Sequence, residues 1–285
     1  MQYYLKRVIP VLNHLEETDW NVLISQIKPF IKEILPQERE LSGTMILTDS
    51  PEGVSLAKEA GLPCLGLELS GQESLSCSYA VTDLSAVTQE YLERIYRRFY
   101  NVPWEILESE RCIVREGNEE DVEEILNVYE DIEEFSLTRP FDTLEEGQRY
   151  MQDYREMVYR FYEYGLWVVE EKASGALIGV AGLENQVFQK EEYLALGYVI
   201  KKEWRRQGYA EEVCRAILVY GETEFGLEEV HCFVELENEA SARLVEKLGF
   251  CREGTTIQQK GENGGQEAML YHYIWKNSRE ATENE

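Results

Sequence analysis

The chain has 285 residues, of which 55 are Asp or Glu and 28 are Lys or Arg, for a formal charge of −27. So acidic a balance excludes non-specific nucleic-acid binding, which needs basic groups over the phosphates; it suits cationic substrates such as amines through steering, and serves equally as a solubilising surface. With 44% apolar content the length is comfortable for two domains, and no apolar stretch reaches membrane-span length, so no membrane partner is expected.

Residues 20–35 carry Trp20, Leu23, Ile24, Ile27, Ile31 and Ile34 at helical spacing, with Pro29 placed to kink or split the helix. MILTD at 45–49 reads as a buried strand. Ser50 is a candidate N-cap and Pro51 a first helical residue for a helix that stops at Gly61. CLGLEL at 64–69 and YAVTDL at 79–84 read as short strands, and 87–100 as an amphipathic helix. Strands alternating with helices predict a small, Rossmann-like parallel α/β domain over residues 1–105.

Residues 101–111, polar and carrying Pro103, read as a linker. CIVRE at 112–116 then opens a second domain over 112–277 as a strand, and Asn118 caps the helix after it. Residues 142–164 read as one long helix rich in Tyr, Met and Arg. LWVVEE, LIGVAGLE and EYLALGYVIK are successive strands spaced for an antiparallel meander. Then come a helix at 209–224, the strand EVHCFVE, a helix at 238–248, and a hairpin of CREGTTIQ and EAMLYHYIWK around Glu262, Asn263, Gly264 and Gly265. The polar tail 278–285 is expected to be disordered.

The 6 cysteines are scattered without a C-x-x-C and read as reduced core thiols, and the 3 histidines give no zinc spacing, so no metal is expected. The N-terminus lacks the apolar core and small-residue cleavage site of a signal peptide, which makes a cytoplasmic location the expectation.

The most informative segment joins the strand at 196–200 to a loop, Arg205-Arg206-Gln207-Gly208-Tyr209-Ala210, that opens a helix. A helix N-terminus with free N–H groups is an anion site, and Gly208 lets backbone approach a ligand with no Cβ in the way. The loop therefore reads as a pyrophosphate cradle, with arginines where a phosphate would lie. Arg205-x-x-Gly208-x-Ala210 after that strand resembles the acetyl-coenzyme A loop of the GNAT acetyltransferase superfamily. Asn238-x-x-Ser241 and Glu246-Lys247-Leu248-Gly249-Phe250 are similar to the ending of its ribosomal-protein-type N-terminal acetyltransferases. The resemblance spans roughly residues 110–277.

That resemblance implies a mixed, mostly antiparallel sheet flanked by helices, acetyl-CoA as co-substrate, and direct attack by a primary amine in a ternary complex. The amine is a small molecule or a protein or peptide N-terminus. It implies that Tyr198, Val199 and Ile200 pair by backbone with the pantetheine arm. The amides of Arg206, Gln207, Gly208, Tyr209 and Ala210 would wrap the pyrophosphate, with Arg205, Arg206 or Lys201 supplying charge. An N–H near Ile200 would polarise the thioester carbonyl. Asn238 would reach the pantetheine amide, cap its helix, or do both. Ser241 would stabilise the departing thiolate, because the position where many relatives carry a tyrosine is Val245. The strand position where relatives carry a basic glutamate is Ala195, which leaves Glu192, Glu184 and Glu235 as candidate bases. Glu192 has the parity of Tyr198. The Tyr-rich helix at 150–164 would wall the acceptor groove, while His231, Cys214 and Trp204 read as packed residues.

A second reading is an acetyl-CoA-binding sensor or scaffold. Residues 45–105 resemble the later half of haloacid dehalogenase-like phosphohydrolases, where Asp49 would be a magnesium carboxylate. No D-x-D nucleophile precedes it, so a degenerate packing or binding domain with Asp49 as a loop cap is the expectation. The acceptor stays open, and so does the oligomeric state, a homodimer included.

Overall fold

The computed structural model describes residues 4–28, 42–69, 74–130, 139–188, 190–260 and 266–277. It divides into two compact units, Met1–Trp104 and Glu105–Glu285.

In the first unit β1 (Arg7–Val11), α1 (Glu17–Ile27), β2 (Thr44–Thr48), α2 (Pro51–Ala60), β3 (Cys64–Leu67), β4 (Ala80–Val81) and α3 (Gln89–Phe99) follow in order. The strands form a sheet ordered β1-β2-β3-β4, every pair parallel. The Ser50 hydroxyl accepts from Gly53 N at 3.3 Å to start α2, and Gly61 at φ +63° ends it. Val8, Leu23, Met45, Leu47, Leu65 and Ile95 share its core.

Three expectations are amended here. β1 was not foreseen, because Pro10 interrupts RVIPV; it is tolerated because β1 lies at the sheet edge and pairs on one side only. YAVTDL contributes only Ala80–Val81, since the Asp83 side chain accepts from Ser85 N and turns the chain into a 3₁₀ segment, Leu84–Ala86. The first helix starts at Glu17, and its expected continuation through Pro29 to residue 35 lies outside the described residues. Asp49 accepts from the amides of Asn13 at 2.7 Å and His14 at 2.8 Å, so both its oxygens hold the loop after β1.

The second unit runs β5 (Glu105–Glu108), β6 (Cys112–Arg115), α4 (Val122–Val128), α5 (Leu144–Asp153), α6 (Arg160–Tyr162), β7 (Leu166–Glu171), β8 (Ala176–Phe188), β9 (Glu191–Ile200), α7 (Tyr209–Phe225), β10 (Glu229–Glu235), α8 (Glu239–Lys247), β11 (Cys251–Lys260) and β12 (Gln266–Lys276). The sheet order is β11-β12-β10-β9-β8-β7-β6-β5, mixed and mostly antiparallel as expected. Only β9 and β10 run parallel, and among the described residues they register at one pair, Ala195 with His231. Beyond that pair the two strands part.

The supposed linker is corrected by β5, which pairs with β6 and sends Ile106 and Leu107 into the core; its flanking glutamates are tolerated at an outer edge. The long helix expected over 142–164 is α5 continued by a π-helical stretch, Tyr154–Tyr159, into α6. The hairpin strands β11 and β12 pair as expected, while their turn and the tail 278–285 lie outside the described residues. One face of the sheet packs Trp167, Leu183, Leu196 and Val230 on Val213 and Ile217 of α7. The other packs Val168 and Val180 on Val122 and Ile125 of α4 and Met151 of α5. The six cysteines are free thiols, and burial pushes Cys232 up to about 12. Among the described residues no helix is long and apolar enough to cross a membrane.

Candidate functional site

The site forms where β9 leaves β10. Main-chain groups of an antiparallel strand alternate in direction. Lys201 N donates to Ile178 O of β8 at 2.8 Å, so Val199, two residues back, also turns its N–H and C=O toward β8. Tyr198 and Ile200 turn theirs the other way, into the parting. Val199 is thus removed from the expected backbone cradle; its side chain packs on the α4 face instead.

Below the parting a 3₁₀ turn, Lys202–Trp204, leads into the loop. Two of its residues take positive φ, Arg206 at +65° and Gly208 at +87°. This reversal aims successive amides the same way into a small concave nest before α7 begins at Tyr209. Among the described residues the amides of Arg206, Gln207, Gly208, Tyr209 and Ala210 have no backbone acceptor. The cations near this nest divide sharply. Arg205 Nε donates to Ile200 O at 2.6 Å, and buried Lys201 is hydrogen-bonded to Glu124, so both are spent on the fold. The Gln207 side-chain amide, Nε2, donates to Glu203 O at 2.8 Å. Arg206 is exposed and, among the described residues, its guanidinium has no partner. These residues fit a pyrophosphate: free amides, a glycine with no Cβ, and an uncommitted cation in Arg206.

Above the nest, Asn238 caps α8, its Oδ1 accepting from Ser241 N at 3.0 Å. The Ser241 hydroxyl lies 2.7 Å from the Tyr198 phenol, which β9 brings in from the α7 side of the sheet. Val245, the position at which the resemblance implies a tyrosine in many relatives, is wholly buried. Burial pushes Tyr198 well above its ordinary value, so it stays protonated.

The three carboxylates separate by position. Glu184 registers with Ala195, the last residue of β9 still paired to β10, and by parity with Val180 it faces α4 and α5. Burial raises its carboxyl above the ordinary value, against a 2.9 Å hydrogen bond from the Gln186 amide. Its charge is felt by Tyr129, Tyr150 and Tyr154, all held protonated chiefly by burial. A β-carbon at Gly197 would come 3.4 Å from Glu184 Oε1, which places the carboxylate beside that glycine. Glu192 does share the parity of Tyr198, but it is exposed and six residues back, about 20 Å along the strand. It cannot reach the parting. Glu235 ends β10 opposite Leu270, on the face of His231. His231 is packed as expected, 2.8 Å from His272 and 3.0 Å from Glu229, and burial lowers its basicity.

Beside Glu184, Tyr129 and Tyr150 also line an apolar cavity with Phe141, Met151, Trp167 and Val180. Trp167 Nε1 is buried without a protein partner. Tyr150 lies on the helix expected to wall an acceptor groove. Tyr129 was missed, because it follows the last turn of α4 with nothing in its neighbourhood to mark it.

Residues 111–251 match a family model described as an acetyltransferase (GNAT) domain. The chain is 30% identical over 161 residues to the uncharacterized N-acetyltransferase YoaA of Bacillus subtilis (strain 168), which spans 56% of this chain and 90% of that relative. It is 32% identical over 104 residues to the putative ribosomal N-acetyltransferase YdaF of the same strain, covering 36% of this chain and 55% of YdaF. Among solved structures, a putative ribosomal-protein-serine acetyltransferase from Vibrio cholerae superposes with a TM-score of 0.50 at 19% identity, covering 61% of this chain and 98% of the other. The ribosomal-protein-S5-alanine acetyltransferase from Vibrio fischeri likewise gives 0.50 at 19% identity, over 62% and 98%. Both are likenesses of fold.

Proposed function

The chain belongs to the GNAT family of N-acetyltransferases, whose co-substrate is acetyl-CoA, and from that premise we propose that it acetylates a primary amine by direct attack, with Glu184 as the base. The carrying observation is the parting of β9 from β10, which leaves the main chain of Tyr198 and Ile200 facing the gap above a phosphate nest. In this reading the nest and Arg206 hold the pyrophosphate of acetyl-CoA, and the main chain of Tyr198 aligns its pantetheine arm. The acetyl group supplied there is activated as a thioester.

The Ile200 N–H donates to the acetyl carbonyl oxygen and takes up charge as the C–N bond forms. Glu184, whose carboxyl burial raises above its ordinary value, accepts the amine proton directly or through one water. As the C–S bond breaks, the Ser241 hydroxyl donates to the leaving sulfur. Tyr198 sets that geometry in this reading: its phenol, 2.7 Å from Ser241 Oγ and kept protonated by burial, takes the donor role, which leaves the serine proton free to point to the sulfur. Tyr198→Phe is therefore expected to lower kcat about tenfold, the value of one hydrogen bond, with KM for acetyl-CoA unchanged. Ser241→Ala should lose at least as much, and the double variant no more than Ser241→Ala alone. Additive losses in that cycle would dismiss the pairing.

The acceptor is a small-molecule amine or a protein or peptide N-terminus. The naming of YdaF supports putting basic peptide N-termini in the first panel, beside polyamines and amino acids. Calorimetry with acetyl-CoA, followed by thiol release across that panel, tests the function. Micromolar binding with turnover is expected. Binding without turnover on any amine would move the chain to the sensor or scaffold reading, and absence of binding would dismiss both. The N-terminal unit is read as a non-hydrolytic packing or binding domain, supported by Asp49 having both oxygens committed to backbone amides. The free thiols support a cytoplasmic location.

A further inference from the structure

Arg111 lies in the segment that reads as linker, yet its side chain reaches the loop before α7. Its Nε donates to Glu212 Oε2 at 2.7 Å, and its own amide donates to Glu212 Oε1 at 2.7 Å. The Ser109 hydroxyl donates to that same Oε1, also at 2.7 Å. Arg111 Nη1 donates to Gln207 O at 3.0 Å. The guanidinium carbon sits 4.1 Å from the centre of the Tyr209 ring, and a β-carbon at Gly208 would stand 3.4 Å from Nη2. One side chain thus touches Gln207 and Tyr209, on either side of Gly208, and ties the loop to the first turns of α7.

Two problems of an anion nest are solved by this arrangement. First, a peptide group can turn either its N–H or its C=O toward the concave side. Capture of the Gln207 carbonyl by Nη1 fixes that peptide so that the oxygen faces away and the following amide, Gly208 N–H, faces the ligand. Second, Glu212 is a carboxylate on the first turns of the helix whose N-terminus must accept a phosphate, and unneutralised it would repel that ligand. Burial alone would raise the Glu212 carboxyl, but the Ser109 hydroxyl and the Arg111 amide and guanidinium hold it below its ordinary value. It is ionised and matched, charge for charge, by Arg111.

Building on the pyrophosphate reading of this loop, we propose that Arg111 is a positioning residue for acetyl-CoA: its planar fork fixes the Gln207–Gly208 peptide and neutralises Glu212, so that the nest is formed before the coenzyme arrives. It acts through the loop and does not itself touch the reacting atoms. The fork geometry is essential, because Nε and Nη1 serve Glu212 and Gln207 together, which a lysine ammonium cannot reproduce in one plane.

The test separates phosphate recognition from general stability. Calorimetric Kd values are compared for acetyl-CoA, for its nucleotide half adenosine 3′-phosphate 5′-diphosphate, and for S-acetylpantetheine, which lacks the pyrophosphate. Arg111→Gln is expected to weaken the first two by a common factor of about tenfold or more while S-acetylpantetheine stays within about twofold. Arg111→Lys should recover less than half of that loss on a logarithmic scale. Glu212→Gln, which removes the charge that the fork grips, should weaken acetyl-CoA in the same direction as Arg111→Gln. Wild-type affinity in Arg111→Gln, equal weakening toward all three ligands, or full recovery in Arg111→Lys would each overturn the proposal. A wild-type protein that binds acetyl-CoA no better than S-acetylpantetheine would instead dismiss the phosphate-loop reading on which it rests.

Discussion

Glu184→Gln is expected to lower kcat by about 100-fold or more, the range of a lost general base, while making the protein more stable at neutral pH. Both effects come from one cause. Burial raises the Glu184 carboxyl above its ordinary value, with the hydrogen bond from Gln186 opposing in part. A group whose pKa is higher folded than unfolded favours folding most below the unfolded value, near pH 4.3, and loses that contribution as pH rises through the folded value. Above that folded value the chain carries an ionised carboxylate among Tyr129, Tyr150 and Tyr154, whose own protons burial retains. Glutamine keeps the shape and the contact with Gln186 without that charge. The gain in melting temperature should shrink as pH falls and vanish below about pH 4.

Activity runs the opposite way. The basic form accumulates as pH rises through the folded value, so kcat/KM should climb through a limb that Glu184→Gln abolishes. Thermal melts from pH 4 to 8 and a pH–rate profile with any working amine give both readings. A variant with normal kcat, or a profile whose acid limb survives the substitution, would return the role of base to Glu235.

What the sequence shows of this site, and what it hides, follows from how far each feature reaches along the chain. The nest is legible because all its parts are local: a strand end at Ile200, a glycine where φ turns positive at 208, and a helix start at Tyr209 follow one another along the chain. The assignment of individual amides is not. Whether Val199 or its neighbours face the parting depends on the register of β9 with β8, and one hydrogen bond, Lys201 to Ile178, decides it. Glu184 stands apart from Glu192 for the same reason, since equal chemistry on one sheet is divided by parity and by distance from Ala195. Charges were legible only as charges; that Arg205 and Lys201 are spent on Ile200 O and Glu124 while Arg206 is not requires the folded loop.

The contacts least visible in the sequence are the longest. Tyr198 meets Ser241 across 43 positions and Arg111 meets Glu212 across 101, with no periodicity to connect them. At element level the misses have a common root as well. β1 and β5 are edge strands, where a proline or flanking glutamates cost little, and those are the residues that make a strand read as a loop.

Gly208→Glu should weaken acetyl-CoA binding by at least about 100-fold, with the fold retained. Three effects add in the same direction. At φ +87° a β-carbon strains the backbone by roughly 1 kcal/mol, which relaxes if the loop opens and the nest is lost. The new side chain starts 3.4 Å from Arg111 Nη2 and offers that guanidinium a carboxylate in competition with Gln207 O and Glu212. Its charge also falls among amides that must receive a pyrophosphate, where like charges about 4 Å apart repel by some 4 kcal/mol at a protein surface. The last effect alone exceeds the 2.7 kcal/mol or so that corresponds to two orders of magnitude in Kd. Gly208→Ala isolates the first, because it adds the β-carbon without charge and contacts Arg111 only at ordinary van der Waals distance. Its loss of affinity should be about tenfold or less. Gly208 is exposed, so neither substitution disturbs the core of α7, and melting temperatures within a few degrees of the parent are expected. Calorimetry with acetyl-CoA on the two variants reads the separation directly. Unchanged affinity in Gly208→Glu would mean that no phosphate lies against this loop, and equal losses in the two variants would mean that backbone shape, with no part for charge, governs the nest.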